Sequence, residues 1–106
     1  MASTEFCCAV DLGATNVRCA VLGRNGEISG FQRSEVSGIE NASCITAKIV
    51  DMIESAVEET RADIGAVGIS TAGPVDLAHG SVVNSPNMQA GEIFLRDPIA
   101  EAFGVP

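Results

Sequence analysis

Apolar residues follow two rhythms along this chain. Phe6-Cys7-Cys8-Ala9-Val10 is a continuous apolar run without polar alternation, which predicts a strand covered on both faces and central in its sheet. Val17 to Leu22 is a second run that pairs back after a short turn. Gly23-Arg24-Asn25-Gly26 supplies the next turn, into Glu27 to Val36. That third stretch carries Ser29, Gln32, Arg33 and Glu35, the polarity of a sheet edge. An antiparallel meander of three strands is expected.

From Asn41 to about Thr60 the period lengthens. Ile45, Ile49, Met52, Ile53, Ala56 and Val57 recur at helical spacing, and Lys48, Asp51, Glu54, Glu58 and Glu59 take the opposite face. This predicts an amphipathic helix packed on the sheet, capped by Asn41 or Ser43 and ended by Arg61-Ala62-Asp63. Ile64 to Ser70 reads as a strand that a crossover makes parallel to the first, giving β-β-β-α-β. Thr71 to Asp76 is then a Gly-Pro loop at the C-terminal end of that strand, where open α/β sheets collect ligands. Leu77 to Val83 predicts a small hairpin with His79 exposed at its tip, and Asn84-Ser85-Pro86-Asn87 a loop rich in side-chain amides. Asp97 and Pro98 read as the cap and first position of a short helix, Ile99 to Phe103, that Gly104 stops. No repeat, low-complexity tract or interdomain linker interrupts this order.

Candidate chemistry sits at the first turn, Asp11-Leu12-Gly13-Ala14-Thr15-Asn16. A carboxylate at the end of a buried strand can hold Mg2+ through water, Gly13 lets backbone approach an anion, and Thr15 and Asn16 add side-chain donors. The same residues also fit an ordinary hairpin, with Gly13 in a left-handed turn and Asp11 and Asn16 bonding local backbone. The turn alone does not decide between these readings.

Composition narrows the function classes. With 106 residues the chain is about one domain, and its net charge of −8, from 6 basic and 14 acidic residues, gives phosphate-backbone contact with nucleic acid little electrostatic support. Cys7, Cys8, Cys19 and Cys44 read as small core hydrophobes, and with His79 the only histidine a structural zinc site has almost no ligands. Met1 to Glu5 lacks a basic region and Asp11 breaks the apolar stretch, so neither a signal peptide nor a membrane span is expected. A reducing cytoplasm is the consistent location.

Three segments carry a resemblance: Asp11 to Arg18, Ala66-Val67-Gly68-Ile69-Ser70-Thr71-Ala72-Gly73-Pro74-Val75-Asp76, and Gly80-Ser81-Val82-Val83-Asn84-Ser85-Pro86-Asn87. In order and spacing they resemble the ROK family of sugar kinases and repressors, over nearly the whole chain. The resemblance implies an actin-like, ribonuclease-H-like ATPase fold with two lobes and a cleft for ATP and sugar, of which this chain matches the N-terminal lobe. It assigns Asp11 to Mg2+ and phosphate handling, and Gly13, Ala14, Thr15 and Asn16 to the phosphate turn. Ala14 departs from the family's usual glycine there, and its Cβ could crowd the phosphate. Gly73 and Pro74 would line the sugar site, where Asn87 would bond sugar hydroxyls, an amide being able both to donate and to accept. Arg18 reads either as a phosphate contact or as an ion-paired surface side chain.

In these kinases an Asn-Asp pair after the Pro-Val segment supplies the general base, and zinc-binding and adenosine-binding parts follow; the sequence stops at Val105-Pro106. The reading is therefore one lobe of a glucokinase-type enzyme, inactive alone because phosphoryl transfer needs an oriented nucleophile and a held nucleotide. The alternatives are the sugar-sensing lobe of a ROK repressor, argued against by Met1 to Glu5 being all that precedes the first strand, and a half-enzyme docking a separate C-terminal lobe. Such a half-enzyme should expose apolar surface that favours self-association or a partner.

Overall fold

A computed structural model describes residues 5–83 and 92–106. The first three strands, β1 (Phe6–Leu12), β2 (Asn16–Gly23) and β3 (Ile28–Glu35), form the expected antiparallel meander. Helix α1 (Ala42–Thr60) then crosses the sheet and returns the chain to β4 (Ile64–Thr71), which pairs parallel to β1, so the sheet order is β3-β2-β1-β4. This is the β-β-β-α-β unit read from the sequence.

The helix forms where its apolar residues can share one face. Ile45, Ile49, Met52, Ile53 and Ala56 are buried, and they join Cys8, Val10 and Leu12 of β1 and Val17, Cys19 and Val21 of β2 in one core. Asn41 caps the helix: its Oδ1 accepts from the Ser43 backbone N–H at 3.0 Å and from Ser43 Oγ at 2.7 Å. Arg61 ends it in the left-handed region at φ 56°. A half-buried tie joins α1 to β7 (Ile93–Phe94), Thr46 Oγ1 donating to the Phe94 carbonyl at 2.8 Å.

Several expectations change. β1 is central, but only the face carrying Cys8, Val10 and Leu12 is buried; Cys7, Ala9 and Asp11 are half-buried on the other. A continuous apolar run does not show which face lacks a covering layer. Cys8 and Cys19 are core residues as expected, whereas Cys44 is exposed because the polar face of α1 carries it, and Cys7 lies on the open face of the sheet. The hairpin exists as β5 (Val75–Asp76) and β6 (Ser81–Val82), joined by a third strand, β7 (Ile93–Phe94), that the pattern did not reveal because it is two residues long. Helix α2 (Arg96–Phe103) starts earlier than expected: Leu95 is its N-cap and Asp97 lies inside the first turn, where an acidic side chain complements the helix dipole.

Candidate phosphate and sugar site

Parallel pairing of β1 with β4, in the register Leu12↔Thr71, brings the C-terminal ends of both strands to one rim. The turn after β1 and the Gly-Pro loop after β4 therefore start side by side. One hydrogen bond fixes the approach, the Ala72 N–H donating to the Leu12 carbonyl at 3.2 Å.

Asp11 lies opposite Arg18 on β2 and Ser70 on β4. Arg18 Nη2 donates to Asp11 Oδ2 at 2.6 Å, and Ser70 Oγ donates to Asp11 Oδ1 at 2.9 Å. The Arg18 guanidinium, and after it the Ser70 hydroxyl, hold the Asp11 carboxyl below its ordinary range, so it is ionised at neutral pH. Its side chain is 49% exposed, open enough for a hydrated cation to reach.

At the turn itself, the Gly13 N–H donates to the Asn16 carbonyl at 2.9 Å. Gly13 is not among the glycines at positive φ, so the left-handed role considered for it does not apply. What it supplies is close approach: a Cβ there would lie 3.2 Å from the Asn16 carbonyl oxygen. The Thr15 carbonyl accepts from Val36 and Ser37, at 2.8 and 3.3 Å, which ties the turn to the end of β3. Thr15 is exposed, and Ala14 and Asn16 are half-buried.

On the neighbouring loop, Gly73 takes φ 96° and Pro74 is exposed, its carbonyl accepting from the Val83 N–H at 3.0 Å. Asn87 lies outside the described residues. The structure thus starts the turn after Asp11 and the segment leading to Gly73-Pro74 from adjacent strand ends. Sequence reasoning missed Ser70 as the second partner of Asp11, because that contact follows from the parallel register and has no local signal.

No group of three or more His, Cys, Asp or Glu side chains is placed to hold a metal among the described residues. A single ionised, half-exposed carboxylate nonetheless fits Mg2+, which keeps most of its waters and is commonly shared between one or two carboxylates and phosphate oxygens. No helix among those residues is long and apolar enough to cross a membrane.

Past the Gly-Pro loop, Asp76 organises the β5–β6 turn. Its Oδ1 accepts from the Ala78 and His79 N–H groups at 3.0 and 3.3 Å, while its Oδ2 lies 2.6 Å from His79 Nδ1. Through the hydrogen bond to His79 the Asp76 carboxyl is shifted down, and through the same bond the imidazole is shifted up. Asp76's contribution is present above its unfolded value and lost as pH falls through its depressed folded value. That of His79 is present below its unfolded value, near 6.5, and lost as pH rises through the raised folded value. The clasp is therefore complete in the mildly acidic range between those limits. Proton NMR titration of His79 should give a pKa above the ordinary imidazole value, which Asp76→Asn returns toward it; an unchanged value in that variant would refute the coupling.

The sequence model of the ROK family matches residues 7–106. A glucokinase of Aeropyrum pernix is 33% identical over 82 residues, which are 77% of this chain and 24% of that protein. Among solved structures, a ROK family glucokinase from Streptomyces griseus in complex with glucose and AMPPNP superimposes with a TM-score of 0.80 at 28% identity, covering 95% of this chain and 31% of that one. A ROK family transcriptional regulator, a homologue of the E. coli MLC protein, shares the fold with a TM-score of 0.79 at 19% identity, covering 95% and 26%. The chain spans about a quarter to a third of the length of these relatives.

Proposed function

The chain belongs to the ROK family, with the actin-like ATPase fold of its sugar kinases, and from that membership we propose that it forms the N-terminal lobe of an ATP-dependent hexose kinase of the glucokinase type. The observation that carries this reading is the single rim at which the Asp11 turn and the Gly73-Pro74 loop meet, joined by the Ala72 to Leu12 bond. A phosphate donor and a sugar acceptor must be held next to each other, and the strands that carry these loops end next to each other.

In this reading Asp11 holds Mg2+ through water, its carboxylate kept ionised by Arg18 and Ser70. Mg2+, when bound, neutralises charge on the transferring phosphoryl group. Thr15 and Asn16 offer donors to the phosphates, Gly13 keeps the turn tight, and Ala14 places its Cβ beside the phosphates. Gly73 and Pro74 line one wall of the sugar site, with Asn87 bonding sugar hydroxyls. The general base that the family resemblance expects falls outside residues 1–106, so these residues alone should not turn over glucose.

The test is an exchange of lobes. Residues 1–106 replace the matching lobe of the Streptomyces griseus glucokinase, and glucose phosphorylation is followed by a coupled assay. ATP-dependent turnover is expected, and Asp11→Ala should lower kcat by about a hundredfold or more, the scale of losing a group that organises transition-state charge. A folded chimera without turnover sinks the kinase reading. The likeness in fold to a transcriptional regulator favours a second reading, a sugar-sensing lobe, which predicts a chimera that binds glucose without phosphorylating it.

A further inference from the structure

The sheet carries one polar row across all its strands: Ser70 on β4, Asp11 on β1, Arg18 on β2 and Arg33 on β3 stand opposite one another in register. Directly opposed residues of antiparallel strands project on the same face, so Arg18 and Arg33 share the open side of the sheet, away from α1. Like charges placed this way repel. The chain has 6 basic residues against 14 acidic ones, and it sets two of the six side by side next to its candidate phosphate turn.

Their present partners do not account for that placement. Arg18 is tied to Asp11 and remains 57% exposed. Arg33 is exposed, and its side chain makes no hydrogen bond or ion pair with another of the described residues. Glu35, two residues further along the same face of β3, accepts from Ser37 Oγ at 2.7 Å. Asp11 and Glu35 are thus the acidic neighbours of this row, and neither pairs with Arg33.

We propose that Arg18 and Arg33 form a two-guanidinium subsite for the phosphate chain of a polyphosphate ligand, with Asp11 holding Arg18 in reserve until a cation takes its place. The proposal rests on the reading that the first turn receives phosphates, and it adds residues and an exchange step to that reading. Two planar guanidinium groups can bind adjacent phosphate oxygens bidentately, a geometry that an ammonium group does not reproduce. Mg2+ arriving with the ligand gives the Asp11 carboxylate a new partner and releases Arg18 toward Arg33. Without ligand, the ion pair keeps Arg18 from adding fully to the repulsion across β2 and β3.

Binding of tripolyphosphate to the 106-residue chain, with and without Mg2+, tests this by calorimetry at low and moderate salt. Arg33→Ala should weaken binding about tenfold, the scale of losing a charge-assisted hydrogen bond, and Arg33→Lys should restore only part of it. Asp11→Asn, which frees Arg18, should tighten binding of the Mg2+-free ligand. Lys48→Gln removes the same charge from α1, on the other side of the sheet, and should change binding much less. The proposal is overturned if the wild-type chain binds no tripolyphosphate, if Arg33→Ala binds as the wild type does, or if Lys48→Gln is equally weakened. An active lobe-exchange chimera combined with any of those results leaves the kinase reading standing without this subsite. An inactive chimera combined with arginine-dependent binding does the reverse.

Discussion

Ile53→Ala should lower the unfolding free energy by about 3–5 kcal/mol, the upper part of the range for a buried isoleucine cut to alanine. Ile53 is fully buried, at 0% exposure, in the middle of α1, whose apolar stripe packs on the inner face of the main sheet. Its neighbours on that stripe, Ile49 and Ala56, are held by backbone hydrogen bonds of the same helix and cannot close the space without moving α1. A domain of this size is stable by about 5–15 kcal/mol, so one such loss brings it near the edge of folding. Urea unfolding checks the figure. Leu77→Ala is the comparison: at 81% exposure it should shift stability by less than about 0.5 kcal/mol. A loss below about 1 kcal/mol for Ile53→Ala would mean that α1 is not the main cover of the sheet.

Gly80→Ala should cost about 2–4 kcal/mol, from two effects that add. Gly80 has φ 63°, in the left-handed region, and a Cβ there would collide with Arg96 Cβ. The turn has no freedom to move aside. The Gly80 carbonyl accepts from the N–H groups of Leu95 and Arg96, each at 3.1 Å, and Arg96 returns Nη1 and Nη2 to the Leu77 and Ala78 carbonyls at 2.8 and 3.0 Å. A methyl group at this point separates the β5–β6 turn from the start of α2. Hydrogen exchange at the Leu95 and Arg96 amides should rise with the substitution. The double variant Gly80→Ala, Arg96→Gly removes the opposing Cβ and should recover part of the loss, so additive costs would refute the clash.

The elements that could be read in the sequence were those with long, repeated patterns. The α1 stripe from Ile45 to Val57 and the runs of β1 and β2 each offer several residues that agree on one period, and the structure follows them. β7 failed this test because Ile93-Phe94 is too short to show a period, and it forms by pairing with β6. Cys44 is exposed for a related reason: one small apolar residue near a helix start says nothing about the face it will occupy. At the site, Asp11, Gly13 and the Gly-Pro loop had local chemical signals. Ser70 and the bond from Ala72 to Leu12 did not, because they arise from a register between strands far apart in the sequence.

That separation also bears on how the molecule assembles. The β1–β2 and β2–β3 pairings are closed by short turns, whereas the Asp11 to Ser70 bond joins residues 59 positions apart. Contacts of high sequence separation carry a larger loop-closure cost and slow folding, so the meander can form ahead of the β1–β4 pairing, which awaits the docking of α1. The carboxylate of Asp11 then gains its second partner late, and the hydrogen bond from Ser70 becomes a marker for the completed fold.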